Sequence, residues 1–133
     1  MFIDRLMNQT NAPLVERVLE FASARHKLIA ENVANVDTPG YRTKDLSEAK
    51  FFSMLRERAG ARREVAPGSM GYDDLNVDVE NPRAGILFHD RNNRSMERLA
   101  SDQAKNGLLY TMAIELLKKQ FSTMEMALKE RVG

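Results

Sequence analysis

The sequence predicts a mainly α fold: long N- and C-terminal helices forming a coiled coil, joined by an irregular middle segment that carries a small β-hairpin. Three observations predict it. An apolar stripe with helical spacing runs through the first third of the chain, a heptad seam runs through the last third, and turn-forming residues with one alternating run lie between.

The 133 residues suffice for one modest domain, read as three stretches: 1–40, a helix and its closing turn; 41–91, the loop-rich middle; and 92–133, the C-terminal coiled-coil helix. Twenty basic residues balance 19 acidic ones, so no net charge steers the chain toward nucleic acid or a membrane surface. The absence of cysteine excludes a disulfide framework and a thiolate metal site, and suits a protein that crosses unfolded into an oxidising space. No apolar run reaches membrane-spanning length, and Met1–Met7 is too short and too charged for a secretory signal peptide.

Residues 1–12 form a short amphipathic lead. Thr10 or Asn11 is placed to cap the first helix, and Pro13 suits its first turn. That helix is expected from about Leu14 to Val36, with Val15, Val18, Leu19, Ala22, Ile29, Val33 and Val36 as its apolar stripe and His26 packed inside it. Its end is written in Asn32-Val33-Ala34-Asn35-Val36-Asp37-Thr38-Pro39-Gly40-Tyr41. Thr38 precedes a proline and leaves the α region, Pro39 fixes its own φ, and Gly40 accepts a positive φ. Pro39 and Gly40 therefore fit the central positions of a type II turn. Asn32 and Asn35, three apart, share a helix face from which their amides reach the last carbonyls, the turn and a neighbouring helix.

In the middle, Leu46, Ala49, Phe52 and Leu55 suggest a short helical turn. Residues 56–72, with Arg56, Arg58, Arg62 and Arg63 followed by Pro67-Gly68, read as a basic, solvated loop. Asp74 to Glu80 alternates, with Leu75, Val77 and Val79 on one face, and is expected to pair with Gly85–His89 across a turn at Asn81-Pro82. Such a hairpin needs a surface to lie against.

Asn92 or Asn93 is placed to cap the last helix. Met96, Ala100, Gln103, Gly107, Tyr110, Ile114, Leu117, Phe121, Met124 and Leu128 recur four and three apart, a seam for assembly. Gly107 within it costs about 1 kcal/mol of helix propensity. It implies either close approach of a partner backbone or a kink at Asn106-Gly107.

Catalytic chemistry is missing from the pattern. His26 and His89 lie far apart in apolar contexts. Asp74, Asn76 and Asp78 match the opening of a calcium-binding loop, but Val79 and Gly85 stand where it needs glycine and glutamate. No glycine loop cradles phosphate. The expectation is a non-enzyme without cofactor or metal.

The run Asn-x-Ala-Asn-x-x-Thr-x-Gly-Tyr, carried by Asn32, Ala34, Asn35, Thr38, Gly40 and Tyr41 around Pro39, resembles the N-terminal signature of flagellar axial proteins, the rod, hook and hook-associated subunits. Arg25 to Leu46, with Asn92 to Glu97 and Tyr110 to Ser122, resembles the proximal rod subunits of that family in particular. The pattern departs at Arg91 and Arg94, where the family more often has glycine and valine. The resemblance implies a structural subunit, exported by the flagellar type III apparatus, that polymerises helically in the periplasmic part of the basal body and transmits torque for motility. It implies other copies of itself, FliE, the MS-ring protein FliF, FlgC and the export gate as neighbours. Phe2 and Leu6 resemble the gate-recognition segment of such subunits, although Phe51 with Leu55 has the same spacing. Two alternatives belong beside it: another axial rod subunit such as FlgC, and a cytoplasmic coiled-coil secretion chaperone or adaptor.

Overall fold

The computed structural model describes residues 10–66, 68–80 and 91–132. Five elements follow in order: α1 (Ala12–Ala34), β1 (Asp45–Leu46), α2 (Glu48–Arg62), β2 (Val79–Glu80) and α3 (Arg91–Val132).

α1 begins two residues earlier than expected. Asn11 holds the cap position, but it is the Thr10 hydroxyl that accepts from the Ala12 N–H, at 3.2 Å. Pro13 lies in the first turn, where its missing N–H costs nothing. The buried face of α1 is Val15, Val18, Ala22, Arg25, Ile29 and Asn32, spaced three and four apart, with Phe21 beside it. Arg25, not His26, continues the stripe, and His26 points to solvent. Val15, Val18, Ala22 and Ile29 fall on the expected face, whereas Leu19 and Val33 are only half-buried at its edges.

α3 packs antiparallel along α1. Asn106 meets Ala22, Asp102 lies close enough to Arg25 to act on its charge, and Leu116 and Gln120 share a groove with Leu14 and Val15. The helix is unbroken through Asn106 and Gly107, and it runs through Asn92 and Asn93, which therefore do not cap it.

The middle differs most from expectation. Residues 48–62 form a four-turn helix instead of a single turn followed by a loop. Ser47 caps it by accepting from the Lys50 N–H, Glu48 lies at its positive end and Arg62 at its negative end. Phe51 and Leu55 form its buried face, and the half-buried Arg58 and Arg62 continue the same stripe. The Arg62 guanidinium sits 4.6 Å from the Tyr72 ring centroid, and Arg58 forms a two-pronged pair with Asp74 at 2.6 and 2.8 Å while donating to the Gly71 carbonyl.

The small sheet is real, but its strands are not those expected. β1 pairs antiparallel with β2, Asp45 opposite Glu80 and Leu46 opposite Val79. Only Val79–Glu80 of the alternating run is strand, and the expected partner Gly85–His89 lies outside the described residues. Leu75 and Val77 still turn inward as the alternation requires, while Val79 is exposed. A Lys50–Glu80 ion pair spans the sheet end.

The core joins Val15, Val18 and Phe21 of α1, Leu46, Phe51 and Leu55, Tyr72 and Leu75, and Ala113 of α3. Phe21 and Phe51 stack with centroids 4.1 Å apart. Arg17 fastens the segment before β2 by donating to the Leu75 carbonyl and, at 3.0 Å, to the Asn76 side chain. Phe51 and Leu55 are 0% and 5% exposed, so the folded chain does not display this pair as a recognition segment.

The hydrogen bond from Arg58 holds the Asp74 carboxyl below its ordinary range. The sign follows: Asp74 binds protons more readily in the unfolded chain, so its contribution is present above about pH 4 and is lost as pH falls through the depressed value. The thermal midpoints of the parent and Asp74→Asn should therefore differ near neutrality and converge as pH falls below the depressed value, as followed by circular dichroism.

Candidate functional site

The closing turn of α1 is built as its residues dictate. Gly40 has φ +76°, the value a type II turn needs at its third position, and the Tyr41 N–H donates to the Thr38 carbonyl at 3.2 Å across the turn. A Cβ on Gly40 would meet nothing within 4 Å. The requirement for glycine is thus one of backbone conformation and not of space.

Asn35 is the C-cap. Its amide donates to the Glu31 carbonyl at 2.8 Å, its oxygen accepts from the Thr38 hydroxyl at 3.2 Å, and the Thr38 N–H donates to the Asn35 carbonyl at 3.0 Å. Helix end and turn are therefore locked by one side chain.

Asn32 acts across a longer span. It is 4% exposed, donates to the Lys44 carbonyl at 2.7 Å, and accepts from the Lys44 N–H at 3.0 Å and the Tyr41 hydroxyl at 3.1 Å. The amide thus imitates one rung of a β-ladder and holds the chain after the turn against α1. The two asparagines do different work: Asn35 closes the helix, and Asn32 reaches the returning chain instead of a neighbouring helix. Ala34, Thr38, Pro39 and Gly40 are exposed, and Tyr41 is half-buried.

Arg25, two turns earlier, completes the fastening. Arg25 is 7% exposed, and its guanidinium donates to both Asp45 oxygens, at 2.9 and 3.2 Å, and to Glu48 at 3.0 Å. The Asp45 bond, opposed by burial and assisted by the Asp45, Asp102 and Glu48 charges, raises its pKa further. Arg25 escapes a reading of the sequence because a charge on a helix is usually solvated. The available signal is its place in the 15-18-22-25-29-32 series, with acids at both 45 and 48 to receive it.

The seam residues divide. Met96, Ala100, Gln103, Gly107, Tyr110 and Phe121 are exposed, while Ile114, Leu117, Met124 and Leu128 are half-buried. The face turned to α1 is displaced by one residue, through Leu99, Asn106 and Ala113. α1 explains the displacement: it presents Ala22 and the polar Arg25, and a small and polar face packs there better than a bulky one. Among the described residues nothing approaches Gly107, where a Cβ would find open space. Leu108, Met112 and Leu116, 66%, 62% and 51% exposed, extend the bare apolar surface. Phe2 and Leu6 lie outside the described residues. No group of three metal-ligating side chains, and no helix long and apolar enough to cross a membrane, occurs among the described residues.

A long antiparallel helix pair with a fastened turn and a bare apolar strip is the build of an assembly subunit. No family model matches the chain. It is 28% identical over 118 residues to the flagellar basal body rod protein FlgB of Aquifex aeolicus, covering 89% of this chain and 92% of that one. It is also 28% identical to the FlgB of Borrelia hermsii, covering 91% and 97%, and 27% identical to that of Salmonella typhimurium, covering 82% and 86%. In each case the similarity to FlgB, a flagellar basal body rod protein, runs along most of the length of both chains.

Asn32→Ala removes three bonds at once and leaves the Lys44 backbone without its partners, at about 1–3 kcal/mol. Gly40→Val forces a β-branched residue to positive φ at a similar cost, about 1–3 kcal/mol, and Gly40→Asn costs less. Urea unfolding should rank the variants in that way. Amide exchange at Lys44 should accelerate in Asn32→Ala while that of the α3 core remains slow.

Proposed function

We propose that the chain is a structural subunit of the flagellar basal-body rod and not an enzyme. The observation that carries this reading is the similarity to FlgB proteins along 82–91% of the chain. The exposed apolar side of α3 supports it, since a subunit buries such a strip against its neighbours. In this reading the Met96–Leu128 seam is completed by other copies and by adjoining subunits, Gly107 admits a neighbouring backbone, and the Asn32–Tyr41 turn sets the direction in which the middle leaves the helix pair. The neighbours are FliE, the MS-ring protein FliF and FlgC. The site of action is the proximal rod in the periplasmic space, reached through the type III export gate, and the task is to hold the base of the rod and pass torque along it.

Removing the protein from its host should abolish swimming and yield basal bodies without a rod. Restoring it as Gly40→Val should leave secretion intact but give poor incorporation and slow swimming, with Gly40→Asn intermediate. Intact rods in cells lacking the protein would falsify the reading.

Export is tested separately. Replacing Phe2 and Leu6 together with Ala should lower the secreted fraction while cellular expression holds, as measured by immunoblot of medium and cells. Undiminished secretion assigns the pair to packing and removes it from gate recognition.

A further inference from the structure

We infer that Asn106 sets the register of α3 against α1. Leu99, Asn106, Ala113 and Gln120 lie seven apart on the side of α3 that faces α1, the same position of successive heptads. Asn106 is 2% exposed in the middle of this pair, where a leucine would bury more apolar surface. Its amide donates to the Ala22 carbonyl at 2.8 Å, while its own oxygen is buried with no partner among the described residues. A polar residue kept at such a position with half its bonding capacity unused is poor packing, but it is strong selection for one arrangement.

The alternatives are specific. In an antiparallel pair, a slip of one heptad brings Asn106 opposite Val15 or Ile29 instead of Ala22. Both are inward-facing on α1, 6% and 2% exposed, so apolar contact alone does not distinguish the three registers strongly. Only Ala22, with a single methyl group, lets the amide approach a backbone carbonyl. Under Val15 or Ile29 the branched side chain covers the backbone, and both ends of the Asn106 amide are buried unpaired. The amide therefore disfavours the slipped pairings more than it supports the native one. Register in turn places Asp102 beside Arg25, and with it the anchor of β1 and α2.

The chain has no cysteine, so spin labels are introduced cleanly at two exposed positions well separated along the pair, Ala30→Cys on α1 and Lys119→Cys on α3. Pulsed electron resonance on the full chain then reads register directly, because one heptad is about 10 Å along the axis. The parent should show one narrow distance. Asn106→Leu should remain helical and melt at a higher temperature, yet show a second or broadened distance, and Asn106→Ala should broaden without the gain in midpoint. Leu99→Ala weakens the same contact without touching the amide, and should melt earlier with the distance still single. A single unchanged distance in Asn106→Leu overturns the inference. If Asn106→Leu does not fold, a single distance in Asn106→Ala overturns it equally. Equal broadening in Leu99→Ala, or a broad distance in the parent, does so too.

Discussion

The fold rests on α1, because it receives both α3 and the returning chain on one buried face. One side of its buried face receives α3, and the other receives the returning chain through β1 and α2. Two polar residues within that otherwise apolar face, Arg25 and Asn32, do the fastening. Each is costly to bury alone and is stabilised only because its partners are in place. Asn32 requires Lys44 to lie alongside, which requires the turn at Gly40, and Arg25 requires Asp45 and Glu48, which follow directly. The turn is thus the step that lets both buried polar groups be satisfied together, and its conformation matters far beyond four residues.

How much of this could be read from the sequence follows the range of each interaction. The turn was legible because Pro39 and Gly40 act through their own backbones, and φ +76° at Gly40 is what a type II turn demands. The two long helices were legible because periodicity is local. The β1–β2 pair was not, since two-residue strands carry no pattern and β1 lies 33 residues before β2. α2 was misread because arginine and glycine suggest a loop, whereas Arg58 and Arg62 are held by Asp74 and Tyr72, residues that no local window contains.

The register of the last helix shows the limit most clearly. The strongest apolar series in its sequence, through Met96, Tyr110 and Phe121, is not the one turned inward. Periodicity ranks the faces of a helix by hydrophobicity, but the fold chooses by complementarity. α1 offers Ala22 and Arg25, and α3 answers with Asn106 and with Asp102 nearby. Arg25 and Asn106 act through partners 20 and 84 residues away, and no local pattern marks them.

That inversion has a mechanical consequence. A monomer built for its own stability turns its most apolar face inward and leaves small and polar residues outside. Here α3, of 42 residues, is paired with an α1 of 23, and it keeps Leu108, Met112, Leu116 and Met126 more than half exposed. The helix extends roughly 60 Å against roughly 35 Å of partner, so no arrangement of these two elements alone covers it. The internal contact is specific but modest, while the external one is apolar and unfilled. Burying the external strip adds hydrophobic free energy at about 25 cal/mol per Å² without disturbing the polar anchors at Arg25, Asn32 and Asn106. Shape is set inside the chain by hydrogen bonds, and among the described residues the apolar strip of α3 takes no part in setting it.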